Sequence, residues 1–275
     1  CCYPGNNSRS CSSCHPLDRA AMDGNARATA LDGEARLRNT PTLYNVVLNF
    51  SFNWDGATTT LEDHAERLLG NPAVMNSKWP ALLAKLRADP DYPTLFIAGF
   101  ADGLTQANVL SALATFERSL VTPNARIDRY LRGERQALTA EELHGYRLFK
   151  SYGCIACHQG TNIGGNLFQK FGVFRSPSAP RTAQVLADVG RHRVTSIDRD
   201  RGVFRVPSLR NVALTAPYFH DGRAPTLEIA VEIMGRAQLG RELKDEEINA
   251  IVRFLQTLTG EYRGKPLALS AKADR

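Results

Sequence analysis

"SYGCIACHQG", residues 151–160, places two cysteines and a histidine within five positions, and "RSCSSCHPLD", residues 9–18, does the same. The two CxxCH units are Cys11/Cys14/His15 and Cys154/Cys157/His158, with the same interval between all three pairs of equivalent members. Three chemistries draw on a CxxC pair. A structural zinc site needs a second ligand pair within about two dozen residues, and none follows either unit. A thioredoxin-like pair sits in a βαβ context, whereas the surroundings here read as helical. Covalent attachment of a c-type haem needs nothing further nearby. The thiols become thioethers, the adjacent imidazole turns onto the iron, and the porphyrin supplies four ligands. Duplication at domain spacing favours this third reading. Two haem c groups are expected, on Cys11, Cys14 and His15 and on Cys154, Cys157 and His158.

A chain of 275 residues exceeds the usual single domain, so two domains are expected, 1–135 and 136–275, both all-α. Composition is that of an ordinary globular protein, with no apolar run long enough to span a membrane. The net charge of +6 is lopsided. Residues 1–135 carry 14 Lys+Arg and 14 Asp+Glu, residues 136–275 carry 20 and 14, and the excess lies entirely in the second half. The arginines are scattered and form no stripe, which excludes nucleic acid. A buried anionic cofactor or an acidic partner accounts for the excess better. The chain starts at "CCYPGNNSRSC" without a secretory leader, which reads as a processed or trimmed beginning. Cys1 and Cys2 fit no metal spacing and read as incidental, with a lipid-modified Cys1 as the alternative. Haem c is matured outside the bacterial cytoplasm, so an exported, periplasmic protein is expected.

Each attachment motif opens a helical domain whose last helix packs on the haem. "TQANVLSALATFERSL" sets Val109, Leu113, Phe116 and Leu120 at helical spacing, and "DEEINAIVRFLQTLTG" does so with Ile248, Ile251, Val252, Leu255 and Leu258 before Gly260. Thr139 and Glu142 form a capping box for the helix that leads into the second CxxCH. Residues 175–208, rich in Arg, Pro, Ser and Asp, read as a long ordered loop, and β content should be minor.

A haem iron with one axial histidine keeps one open face, and its occupant decides the function. The second half holds a single methionine, Met234, well downstream of His158. A thioether there is a natural sixth ligand for an electron-transfer haem, although a lone Met is as readily core filler. In the first half Met22, His64 and Met75 are candidates with no compelling spacing, and His64 reads equally as a solvated helix residue.

With these residues in hand, the chain resembles the bacterial di-haem cytochrome c peroxidases, a family that includes the MauG-type protein oxidants. The resemblance spans nearly the whole chain. It rests on both CxxCH units, "NTPTLYN" (39–45), "NWDG" (53–56), "GNP" (70–72), "FERSL" (116–120), "VPSLRNVALTAPYFHDG" (206–222) and "AVEIMGRAQLG" (230–240). It implies two cytochrome c-like domains facing each other across a calcium site, with a peroxidatic first haem and an electron-transferring second. Met234 matches the family's methionine ligand of the second haem, where MauG has tyrosine. Trp54 matches the tryptophan between the haems, an electron relay or a buried core residue. Asn39, Thr215 and Pro217 match the calcium ligands, and amide and carbonyl oxygens suit that hard cation. Arg205 and Arg210 fall where cations near haem propionates are expected. His220 matches a histidine near the second haem and is expected to be structural.

Three departures stand out. Counted back from Asn39, the position of the histidine that caps the first iron in other oxidised members is Leu31. The family's catalytic glutamate is replaced by Val74, and the glutamine before the Ala of "EQA" is replaced by His64. The first departure implies an iron open without reductive activation. The other two make His64, with an ordinary imidazole pKa of about 6.5, the candidate acid–base group. The expected function is reduction of hydrogen peroxide with electrons from a small donor protein, a cytochrome c or a cupredoxin. The alternatives are MauG-like oxidation of a partner protein and a non-catalytic di-haem electron carrier. A homodimer is the expectation for the assembly.

Overall fold

The computed structural model describes residues 9–175 and 188–269. Cys1 and Cys2 lie outside them, as does the first part of the arginine-rich stretch. In chain order the helices are α1 (Cys11–Cys14), α2 (Leu61–Gly70), α3 (Trp79–Ala88), α4 (Tyr92–Gly99), α5 (Gln106–Ser119), α6 (Arg126–Leu131), α7 (Ala140–Ser151), α8 (His192–Thr195), α9 (Leu227–Gln238) and α10 (Asp245–Gln256). Two antiparallel ribbons complete the described fold, β1 (Phe168–Lys170) with β2 (Val203–Arg205) and β3 (Glu261–Tyr262) with β4 (Lys265–Pro266). Helix dominates and strand is minor, in two cytochrome c-like halves.

Threonine caps start the main helices. Thr60, Thr105 and Thr226 each accept the N–H three residues on, satisfying a donor the helix leaves orphaned. Thr139 and Glu142 form the full reciprocal box, at 3.2 and 2.8 Å. In the second half α7 crosses α10, with Phe254 between Tyr146 and Phe149 at ring separations of 5.0 and 5.1 Å. Ile248, Ile251, Val252, Leu255 and Leu258 are all buried there, as their spacing predicts. In the first half α2 packs on α5, and Leu69, Leu82, Leu86, Phe96 and Val109 form the core.

Two expectations change. The buried face of α5 runs through Val109, Leu110 and Ala114, which leaves Phe116 46% exposed. Residues 188–208 are not simply loop, since they contain α8 and β2, and β2 pairs with β1 in the register Phe168–Arg205. Helix α6 joins the second core through Ile127, whose N–H reaches the Thr257 carbonyl at 3.3 Å.

The two halves repeat one backbone, in a constant register that matches Asn45 with Asn211. These asparagines, both at φ 60°, each open a 3-10 turn, Val46–Leu48 and Val212–Leu214. The bridge Phe52–Thr58 repeats as Tyr218–Ala224, and caps Thr60 and Thr226 start α2 and α9. The repeats lock together reciprocally. Asn39 N–H donates to the His220 carbonyl at 2.6 Å, and its equivalent Arg205 N–H donates to the Trp54 carbonyl at 2.8 Å. Thr122 ties both asparagines, accepting from Asn45 Nδ2 at 2.7 Å and Asn211 Nδ2 at 2.9 Å.

Gly145 permits the α7–α10 crossing, since a Cβ there would lie 1.8 Å from the Ala250 carbonyl oxygen. Gly145→Ala must therefore push the helices apart and should lower stability by about 1–3 kcal/mol, read by urea denaturation. An unchanged midpoint would show that the crossing yields without strain.

Candidate functional site

In the second half one cavity of ≈ 350 Å³ gathers Cys154, Cys157, His158 and Met234 with a mostly apolar wall that includes Phe149, Leu227, Ala230 and Leu255. The motif folds as a 3-10 turn, Cys154–Ala156, after Gly153 at φ 88°. Burial pushes the Cys154 thiol up to about 11 and lowers His158 to about 4 against a smaller opposing pull from the Ile163 and Pro207 backbone. His158 Nδ1 makes no hydrogen bond of normal geometry. Gly164 lets this wall close, because a Cβ there would meet the Pro207 carbonyl at 2.2 Å. Among the described residues no three His, Cys, Asp or Glu side chains gather as a metal site, which gives the zinc reading no site among them.

In the first half, helix α1 carries Cys11 and Cys14, and burial raises the Cys14 thiol. His15 Nδ1 meets the Ala21 carbonyl at 2.9 Å. A carbonyl only accepts, so Nδ1 carries the proton and Nε2 keeps its lone pair for an axial ligand.

His64 sits on α2, 8% exposed, which corrects the solvated reading. Its Nε2 lies 3.2 Å from Asn53 Oδ1, and its Nδ1 is buried without a partner. Its pKa is lowered to about 4 by burial first and then by His15, Arg205 and Arg67, not the ordinary value expected. His15 and His64 are thus close enough to feel each other. Met75 is core, packed with Leu69, Leu82 and Phe96. Met22 lines the second cavity. The Leu31 N–H donates to the Ala73 carbonyl at 3.1 Å, which places Leu31 beside Val74.

Between the halves Trp54 and His220 occupy equivalent positions of the repeat, their rings edge to face at 6.3 Å. Trp54 Nε1–H donates to the Asn39 carbonyl at 3.0 Å, and His220 stacks on Phe204 at 3.9 Å. Asn39, Thr215 and Pro217 line the same cavity wall although they come from different halves. Asn39 Nδ2 donates to the Asn25 carbonyl at 2.7 Å.

Arg205 is 5% exposed and meets only neutral oxygens, the Asn53 carbonyl at 3.3 Å and Asn49 Oδ1 at 3.1 Å. Burial alone drives its pKa down to about 10. A buried guanidinium on a cavity wall without a carboxylate calls for an anion, and haem propionates fit that demand. Arg210 differs. Its fork is taken by both oxygens of Asp128 at 2.9 Å, so it fastens α6 and is not free for a propionate.

Two CxxCH histidines, each with its thiols at a helical half, define a two-domain c-type cytochrome. Family comparison agrees: residues 4–136 match the di-haem cytochrome c peroxidase model and residues 143–259 match cytochrome c. The chain is 42% identical to cytochrome c peroxidase Ccp of Escherichia coli, over 92% of this chain and 54% of that protein. It is 41% identical to the cytochrome c551 peroxidase of Nitrosomonas europaea, over 92% and 74%. The chain thus spans about half of the first relative and three quarters of the second. A solved MauG-like protein associated with microbial copper homeostasis superposes with a TM-score of 0.84 at 28% identity, over 94% of this chain and 85% of that one. The chain belongs to the di-haem cytochrome c peroxidase family.

The repeat supplies what motif reading missed. On α9, Ala230 and Met234 both line the second cavity. In the same register on α2 stand His64 and Leu68, and burial follows the pairs, His64 and Ala230 buried, Leu68 and Met234 half-buried. The helix face that offers a thioether in one half offers an aliphatic chain in the other. In the holo-protein Leu68→Met should therefore cap the first iron, turn its spectrum low-spin and slow its reaction with peroxide. A Leu68→Met protein with parental optical and EPR spectra would break the equivalence.

Proposed function

We propose that the protein reduces hydrogen peroxide to water at the His15 site, with electrons entering at the His158 site from a small periplasmic donor, a cytochrome c or a cupredoxin. The observation that carries this reading is the paired helix face: Ala230 and Met234 in one half, His64 and Leu68 in the other. Haem c, when bound, supplies an iron that takes up peroxide in the first half and one that relays electrons in the second. Cys11 and Cys14 would hold the first group, and Cys154, Cys157 and Met234 the second. Domains 1–135 and 136–275 would each carry one, with α6 reaching across to the second core.

Peroxide reduction consumes two protons and two electrons per molecule and yields two waters. One oxygen must lose a proton as it binds and the other must gain one as it leaves. Burial and neighbouring cations hold His64 neutral at neutral pH, and its unpartnered Nδ1 is the atom that would take that proton and pass it on, as a weaker base than an ordinary imidazole. Val74 and Leu31 offer no competing acid or ligand. Trp54 stands between the halves, with its indole N–H fixed by the Asn39 carbonyl, as an electron relay. Arg205 neutralises propionates. Asn39, Thr215 and Pro217 would hold calcium and so clamp the halves, and a homodimer is kept for the assembly. Met234, where MauG has tyrosine, favours the peroxidase over the protein oxidant.

Two experiments test this. The EPR spectrum of the fully oxidised holo-protein should show one high-spin and one low-spin haem, and two low-spin haems would point to an electron carrier. His64→Ala should slow the reaction with peroxide by about 10²–10⁴-fold and leave both haem spectra intact. A parental rate in stopped flow would make His64 a bystander.

A further inference from the structure

A groove of ≈ 520 Å³ lies on the surface between the β1–β2 ribbon and residues 191–200, lined by Phe168, Lys170, Arg191, Ile197, Arg199 and Asp200 among others. Its position is informative. Gln169 lines both this groove and the second cavity, Val203 lines the groove, and the next residues of β2, Phe204 and Arg205, line the cavity. One two-stranded ribbon is thus the common wall. The groove also touches the loop of Trp54. A Cβ on Gly56 would meet the Phe168 ring at 2.2 Å, and Arg191 donates to the Asp55 carbonyl at 3.2 Å.

The lining sets the apolar side chains of Phe168, Ile197 and Val203 among three cations, Lys170, Arg191 and Arg199. Phe168 stacks edge-on with Phe50 at 5.0 Å, and Phe50 and Ile197 are 45% and 44% exposed. Arg191 lies flat on Phe168, 3.7 Å from the ring centre. Among the described residues Lys170, Arg191 and Arg199 have no carboxylate partner. Asp200 is the one acid in the lining, and it takes the Thr195 hydroxyl at 2.7 Å. Nearby Asp198 is paired with Arg201 at 3.0 Å. The positive excess of the second half therefore has a place here with no internal use.

We infer that this groove is where the electron donor docks, and that the donor presents an acidic face bearing apolar side chains. A small surface that mixes apolar side chains with charge suits a transient redox interface, and complementary charge sets its encounter rate and partner choice. The inference rests on the peroxidase reading. Each docked donor is oxidised by one electron, which passes through the ribbon wall to the second site, and two encounters serve one peroxide. A basic donor would be repelled.

The test uses the holo-protein and the double variant Lys170→Glu/Arg199→Glu, both positions being exposed. The probes are an acidic cupredoxin and a basic c-type cytochrome. With the reduced acidic probe, KM should rise roughly tenfold or more in the variant with kcat nearly unchanged, and wild-type KM should rise with salt. Titration with the oxidised acidic probe should show a Kd weakened by a similar factor, without turnover. The basic probe should bind the variant at least as well as wild type. Equal Kd and KM for the acidic probe in both proteins, or a wild-type preference for the basic probe, would overturn the groove. Failure of the pre-reduced wild type to consume peroxide would instead overturn the peroxidase reading, and the titration would still decide the groove.

Discussion

Everything at the centre of this molecule hangs on two backbone hydrogen bonds that answer each other, Asn39 to His220 and Arg205 to Trp54, at 2.6 and 2.8 Å. Each joins a residue before the loop of one repeat to the tip of the loop in the other. Because the four positions are equivalent in pairs, the bonds fix the halves about a pseudo-two-fold axis and bring Trp54 and His220 ring to ring on it. The same exchange carries Asn39 into the wall of the second cavity and Arg205 into its lining. A side chain of one half therefore completes the site of the other. Loosening this contact would unseat the tryptophan, the buried guanidinium and the proposed cation ligands together.

Charge follows from that geometry. Most cations near the axis are answered within the chain: Arg38 by Asp55 and Asp188 at 2.7 Å each, Arg210 by Asp128, Arg223 by Asp221. Arg205 is not, although it is the most buried of them. An isolated buried guanidinium is strongly unfavourable, and the fold keeps it by offering the neutral oxygens of Asn49 and Asn53 and a cavity suited to an anionic group. Part of the sequence's positive excess is thus internal. The cationic groove outside the ribbon is the part that faces solvent.

The sequence discloses local features better than tertiary ones. The Thr139–Glu142 box and the α10 stripe depend on a few neighbouring residues, and both stand as read. The inward face of α5 does not, because its partner α2 selects Ala114 over the larger Phe116. The β1–β2 ribbon escaped notice because its strands are three residues long and lie in or beside an arginine-rich stretch. The fate of Arg210 depends on Asp128, which is remote in sequence and belongs to α6. His64 reads as a helix-surface residue from its polar neighbours, and only packing against Phe52 and Asn53 makes it buried and neutral. The repeat was hidden for a further reason. The interval from Cys11 to Cys154 is shorter than the interval from Asn45 to Asn211, so no single period aligns the halves, and the axis pair is a tryptophan facing a histidine.

That mismatch explains how one backbone can serve two tasks. The repeat keeps what shapes the chain: Asn45 and Asn211 in the left-handed region, Gly56 and Gly222 at φ 68° and 66°, and the threonine caps. It varies the side chains on one equivalent helix face. On the shared helix, Ala230 and Met234 give a small residue and a soft donor, whereas His64 and Leu68 give a proton acceptor and a chain that binds no metal. On the proposed reading, two side-chain exchanges on one helical face would separate a site suited to a saturated iron from one suited to an open iron. The burial that stabilises α2 is also what lowers the His64 pKa, so packing and proton chemistry are set by the same contacts.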